Sequence, residues 1–105
     1  MISVKFLSKG GQPCGFEVCG HATADEDELE GKLVCAFVSS ACLMACNTAT
    51  EIIGDKGEAT EEDGYWKFYC ETPSDSTVKV IKGLKLHLTE LKKQYGKRIK
   101  IYTEV

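Results

Sequence analysis

With only two histidines and two prolines, and no apolar run near the ~20 residues of a membrane span, the 105-residue chain is confined to few classes. Any imidazole chemistry must use His21 or His87. The N-terminal Met1-Ile2-Ser3-Val4-Lys5-Phe6 alternates like a strand and lacks the charged-then-apolar layout of a signal peptide, so a cytoplasmic protein is expected. An excess of basic charge is also missing. Thirteen Lys and Arg against sixteen Asp and Glu give a net charge of -3, which leaves direct nucleic-acid binding unsupported and no membrane partner expected. No linker, internal repeat or low-complexity segment breaks the chain, and its length suits one domain over residues 1–105.

Six cysteines are present, an even number that in a secreted chain would suggest disulfides. Without a secretory signal, reduced thiols are expected, with Cys42 and Cys46 as core residues of a helix. The acid is concentrated locally. Asp25, Glu26, Asp27, Glu28 and Glu30 crowd one segment, Glu58, Glu61, Glu62 and Asp63 another, while Lys and Arg gather from Lys79 to Lys100.

Periodicity gives the order ββ-α-ββ-α-β. Ile2, Val4 and Phe6 alternate, Ser8-Lys9-Gly10-Gly11-Gln12-Pro13 turns, and a second strand covers about residues 15–20. Phe16 and Val18 share one face of it; Glu17, Cys19 and, if the strand continues, His21 share the other. From about Gly31 to Ile53 Val34, Val38, Ala41, Ala45, Thr48 and Ile52 recur at helical spacing, with Gly54 as a left-handed cap. A hairpin, about 57–62 with 65–71, turns at Asp63-Gly64. Thr72-Pro73-Ser74-Asp75 opens a second helix with the stripe Val78, Ile81, Leu84, Leu88, Leu91 and Tyr95, ended by Gly96, and Arg98 to Tyr102 forms the last strand. The pattern predicts an α+β two-layer sandwich, two helices packed on one face of a mixed sheet.

The residues that could carry chemistry are His21, at the end of the second strand, and Cys35, placed at the start of the first helix. A nucleophilic thiol needs a partner for its proton and surroundings that favour the thiolate. An imidazole and a helix N-terminus supply both, and backbone N–H groups there could hold an oxyanion. His87, between Leu86 and Leu88, is read as structural. Ser39 packs the helix or hydrogen-bonds near the site. Tyr65, Trp66, Phe68 and Tyr69 serve the core and sheet surface first and substrate second. Zinc held by Cys14, Cys19, His21 and Cys35 is a different possibility, although Cys14-x4-Cys19-x-His21 is not a usual structural-zinc spacing. A third is a non-catalytic peptide-binding module whose acidic segment grips basic partners.

Gly20-His21-Ala22, a short acidic segment, and Val34-Cys35-Ala36 with Ser39 four residues on resemble the ribosomal-processing cysteine protease (Prp) family. The resemblance extends over essentially the whole chain in length, element order and the Gly64-aromatic strand. It implies a thiol protease of ribosome biogenesis, needing no cofactor, that removes an N-terminal extension from large-subunit ribosomal protein twenty-seven. Cys35 then corresponds to the nucleophile and His21 to the base, with an apolar pocket beside Cys35 for the aromatic residue before the scissile bond. Family members carry an Asp three residues before the Cys; here that residue is Lys32, so a carboxylate orienting His21 must come from Asp25, Asp27 or Glu30, or the site is a dyad. The acidic residues are expected to border the substrate groove. A homodimer is compatible with the family pattern.

Overall fold

The computed structural model describes residues 1–20 and 29–103. Strands β1 (Ile2–Lys9) and β2 (Gln12–Gly20) form a hairpin, followed by helix α1 (Leu29–Asn47) and a π-helical turn at Thr48–Ile53. Strands β3 (Glu58–Glu62) and β4 (Tyr65–Tyr69) form a second hairpin. Helix α2 (Asp75–Tyr95), a 3-10 turn at Gly96–Arg98 and strand β5 (Ile99–Thr103) complete the described chain. The sheet order is β3-β4-β2-β1-β5, antiparallel except for the parallel pairing of β1 with β5. This is the expected α+β architecture.

Both turns have a physical cause. Gly10 and Gly11 each adopt positive φ, 59° and 81°, between the paired Lys9 and Gln12, as a two-residue hairpin requires. In the second hairpin Gly64, at φ 74°, supplies the left-handed residue. Alternation then puts one face of the sheet against the helices. Ile2, Val4, Phe6, Phe16, Val18, Phe68 and Ile99 meet Val34, Val38, Cys42 and Ala45 of α1 and Ile81, Leu84 and Leu88 of α2. Phe16, fully buried, stacks on Trp66 at 5.3 Å and tilts against Phe68 at 5.6 Å. The opposite face is polar: Glu17 accepts from the Tyr65 hydroxyl at 2.8 Å and lies 3.9 Å from Lys5 and 4.0 Å from Lys67.

Two details depart from the periodicity. The first helix is already formed at Leu29, ahead of the periodicity, and beyond Asn47 it widens into the π turn, closed by Gly54 at φ 90°. The wider turn changes the angular step, so Ile52, placed on the apolar stripe by the sequence, is 81% exposed, and Ala49 is buried instead. The continuous helical stretch Leu29–Ile53 is also long and apolar enough to cross a membrane, contrary to the reading of the sequence. Here one side of it is the core layer under α2 and the sheet.

Helix α2 starts at a built cap. Ser74 accepts from the Thr77 N–H at 3.4 Å, and Asp55 receives both the Ser74 N–H and its hydroxyl at 2.8 Å. The neighbouring Thr77 hydroxyl, although not in good hydrogen-bonding geometry, and the two Ser74 donors hold the Asp55 carboxyl below its usual range. A carboxyl lowered in the folded state stabilises above its unfolded value of about 3.9, and the contribution is lost as pH falls through the folded value. Acid titration of the melting temperature should therefore show a loss below about pH 4 that Asp55→Asn removes. Ser74→Ala should cost about 1 kcal/mol by denaturant titration at neutral pH.

Candidate active site

Strand β2 delivers its last residue at one end of the sheet. Gly20 pairs with Ile2, and Ile2 pairs on its other side with Ile99, so Gly20, Ile2 and Ile99 form one cross-strand row. The Gly20 N–H donates to the Gly64 carbonyl at 2.9 Å, tying this end to the second hairpin. Gly20 has φ 83°, and a Cβ there would lie 2.7 Å from the Met1 carbonyl oxygen. No other residue fits without strain. The left-handed backbone also ends the extended alternation of β2 at this residue. His21, Asp25 and Asp27 lie outside the described residues.

The six cysteines are all thiols, and burial sorts them. Cys14, Cys42, Cys46 and Cys70 are buried. Burial, aided by Cys46, pushes the Cys42 thiol up to about 12; burial also raises Cys46, with Glu51 adding to it, and Cys70, with Asp55 adding to it. Cys70 donates to the Lys56 carbonyl at 3.3 Å. A thiol held protonated in the core is not a nucleophile. Cys19 is exposed, at the polar face of the sheet. Cys35 alone is half-buried, on α1, packed against the edge of the core. Partial exposure is the condition a reactive thiol needs.

Three expectations about Cys35 change. It is the seventh residue of α1 and does not lie in its first turn. The Cys35 N–H lies inside the helix and is committed to the helix ladder, so it is not open to an oxyanion. The macrodipole, which fades within the first turn, gives Cys35 little. Among the described residues, a large apolar groove lies on another flank of α1. About 760 Å³ in volume, it runs between α1 and α2 past Phe37, Ala41, Met44, Leu84, Leu91 and Tyr95, with His87 at its side. Residues two apart on a helix point about 200° apart, so Phe37 and the groove occupy the flank of α1 opposite Cys35.

Glu30 and Lys32 are exposed in the first turn, and Ser39 is exposed one turn after Cys35. Glu30 accepts from Arg98 Nε at 3.2 Å, an interaction that spacing in the sequence gave no means of anticipating. Tyr65, near the Gly20 end, is held by Glu17, and that hydrogen bond raises its hydroxyl above the usual range. Among the described residues no three His, Cys, Asp or Glu side chains gather as a metal site. Cys14, buried within β2, and Cys19, at its exposed end, do not share surroundings.

A two-layer α+β domain with a half-buried thiol on its first helix, and a left-handed Gly20 ending its second strand, is compatible with a thiol hydrolase. The chain belongs to the cysteine protease Prp family, whose model matches residues 1–100. The same fold is found in an essential ribosomal processing protease Prp from S. aureus, solved with a covalently linked product peptide. That structure has a TM-score of 0.86 and 18% identity and covers 99% of this chain and 100% of its own. A second structure, of the S. aureus protease with a substrate peptide, gives a TM-score of 0.85 at 18% identity over 99% of this chain and 100% of its own. A Streptococcus mutans protein matches with a TM-score of 0.76 and 24% identity over 99% of this chain and 96% of its own. No curated protein matches the chain.

The backbone at Gly20 generates a prediction. Gly20→Ala places a side chain in left-handed conformation, at about 1–2 kcal/mol, and forces the strand end away from Met1. Its melting temperature should fall, and peptide cleavage should fall further than the melt explains at a temperature where the variant is folded.

Proposed function

We propose that this protease uses Cys35 as nucleophile and His21 as general base and acid. Its proposed substrate is a bacterial large-subunit ribosomal protein, number twenty-seven, bearing an N-terminal extension. The observation that carries the reading is that Cys35 is the half-buried thiol of the six, and it stands in Val-Cys-Ala after a Gly-His-Ala motif. The S. aureus relative, with its covalently linked product peptide, supports covalent chemistry in this fold.

The steps follow from these two groups. His21 takes the thiol proton, and the Cys35 sulfur attacks the scissile carbonyl carbon, forming a C–S bond and a tetrahedral oxyanion. As the oxyanion collapses the C–N bond breaks, and the imidazolium gives its proton to the departing amine. The thioester that remains is attacked by water, whose proton goes to His21; the C–S bond breaks, releasing the carboxylate product and the thiol. With the helix N–H groups near Cys35 already bonded, donors for the oxyanion must come from outside α1. Asp25 and Asp27 are the candidates to orient His21 or to meet a basic substrate, and Ser39 borders the Cys35 flank. Maturation of a ribosomal protein places the enzyme in the cytoplasm and in ribosome biogenesis.

Cys35→Ala and Cys35→Ser should abolish cleavage of an extension peptide, followed by mass spectrometry, with the fold retained by circular dichroism. His21→Ala should reduce the rate by orders of magnitude and slow alkylation of Cys35 near neutral pH. Full activity in Cys35→Ala sinks the assignment. A non-catalytic binding module predicts instead that Cys35 is alkylated no faster than Cys19.

A second copy is the proposed occupant of the α1–α2 groove. Residues 33–50 carry no charge, so a two-fold axis along this face of α1 brings no like charges together. Phe37 and Met44, 37% and 72% exposed, would be covered. Light scattering should give a dimer mass that Met44→Glu reduces to a monomer; a monomeric wild type at micromolar concentration refutes the dimer.

A further inference from the structure

We infer that Arg98 is a positioning residue of the protease. Through Glu30 it fixes the first turn of α1, and so the placement of Cys35 relative to the sheet end that carries Gly20. The inference rests on the reading of Cys35 and His21 as the reacting pair.

Among the described residues, the side chains of the first turn of α1 make few buried contacts. Leu29 is 70% exposed, Glu30 and Lys32 point to solvent, and the buried Gly31 has no side chain to pack. The first buried side chain of the helix is Val34, a full turn later. Against this, Arg98 Nε lies 3.2 Å from Glu30 Oε1. The two ends of that pair differ in rigidity. Arg98 is 24% exposed, immediately before Ile99, which is 1% exposed and paired to Ile2. Ile2 is in turn paired to Gly20. Arg98 therefore projects from the row of strands that ends at the Gly-His junction. Glu30 is five residues before Cys35, about 7.5 Å along the helix axis. The pair links the two arms of the site across one end of the sheet.

Exposed ion pairs contribute little to global stability, whereas small misplacements of reacting groups are costly in rate. The pair should therefore show itself in turnover more than in melting. Glu30→Gln, Arg98→Gln and the double variant are compared with wild type on the extension peptide, with kcat, KM and melting temperature measured for each. Each single change should lower kcat by about five- to twentyfold with KM nearly constant. The double should be no worse than either single, and Arg98→Lys should recover part of the loss. Ionic strength that weakens the pair should lower wild-type kcat towards that of Glu30→Gln.

Several outcomes overturn the inference. One is wild-type kcat in Glu30→Gln, a substitution at an exposed position that threatens the fold less than Arg98→Gln. Others are additive losses, a melting shift without a kcat change, and a KM rise at constant kcat in Glu30→Gln, which would make Glu30 a substrate contact. Cys35→Ala is run alongside. If it cleaves like wild type, the site reading falls and this inference with it; if it is inactive while the pair variants match wild type, only the inference falls.

Discussion

The double pairing of Ile2 is the constraint on which the rest of this structure depends. Its strand takes β2 on one side and β5 on the other, and Ile2 itself is 2% exposed beneath the helices. A strand bonded on both edges cannot shift register without turning Ile2, Val4 and Phe6 out of the core together. That fixed register aligns Gly20 with Ile99, although 79 positions separate them in sequence. The end of one strand and the start of another are thereby set at one edge of the layer, about 10 Å apart across two strand spacings.

Burial and chemistry divide the cysteines consistently. The interior needs small apolar side chains under two helices, and Cys42, Cys46, Cys14 and Cys70 fill that need. The desolvation that makes them good packing residues also raises the thiols of Cys42, Cys46 and Cys70 and keeps them protonated. Cys35 differs by one helical position from the buried stripe of Val34 and Val38 and is half-exposed for that reason. A cysteine-rich core thus leaves one helix thiol at the boundary between core and solvent.

Much of this was legible in the sequence. The Gly10-Gly11 and Asp63-Gly64 turns, the opening of the second helix at Thr72-Pro73-Ser74-Asp75, the Gly54 cap and the stripe Val78-Ile81-Leu84-Leu88 each carry a local physical signal, and each is where that signal put it. The position of Cys35 within its helix was less so, because the apolar spacing marks the helix only from about Gly31 while it is already formed at Leu29, six residues before the thiol. The π turn was invisible because its residues, Thr48 to Ile53, fit ordinary helical spacing equally well. Glu30 looked like one of five interchangeable acids. Its partner is 68 positions away, and only the parallel pairing of β5 with β1 brings the two together.

Helix α1 has two unrelated surfaces to satisfy besides the core. One flank presents Cys35 and Ser39, and the other, with Phe37 and Met44, borders the groove against α2. The charge-free run from 33 to 50 suits the second surface and leaves Lys32, one turn before Cys35, as the nearest charge along the helix. The sheet edge is tightly specified, with a glycine that tolerates no Cβ and an isoleucine paired on both sides, while the helix that bears Cys35 is chemically bland. The fold sets the half-buried Cys35 on the helix and the fixed backbone of Gly20 on the sheet edge, and the distance between them is set by the packing of one layer on the other.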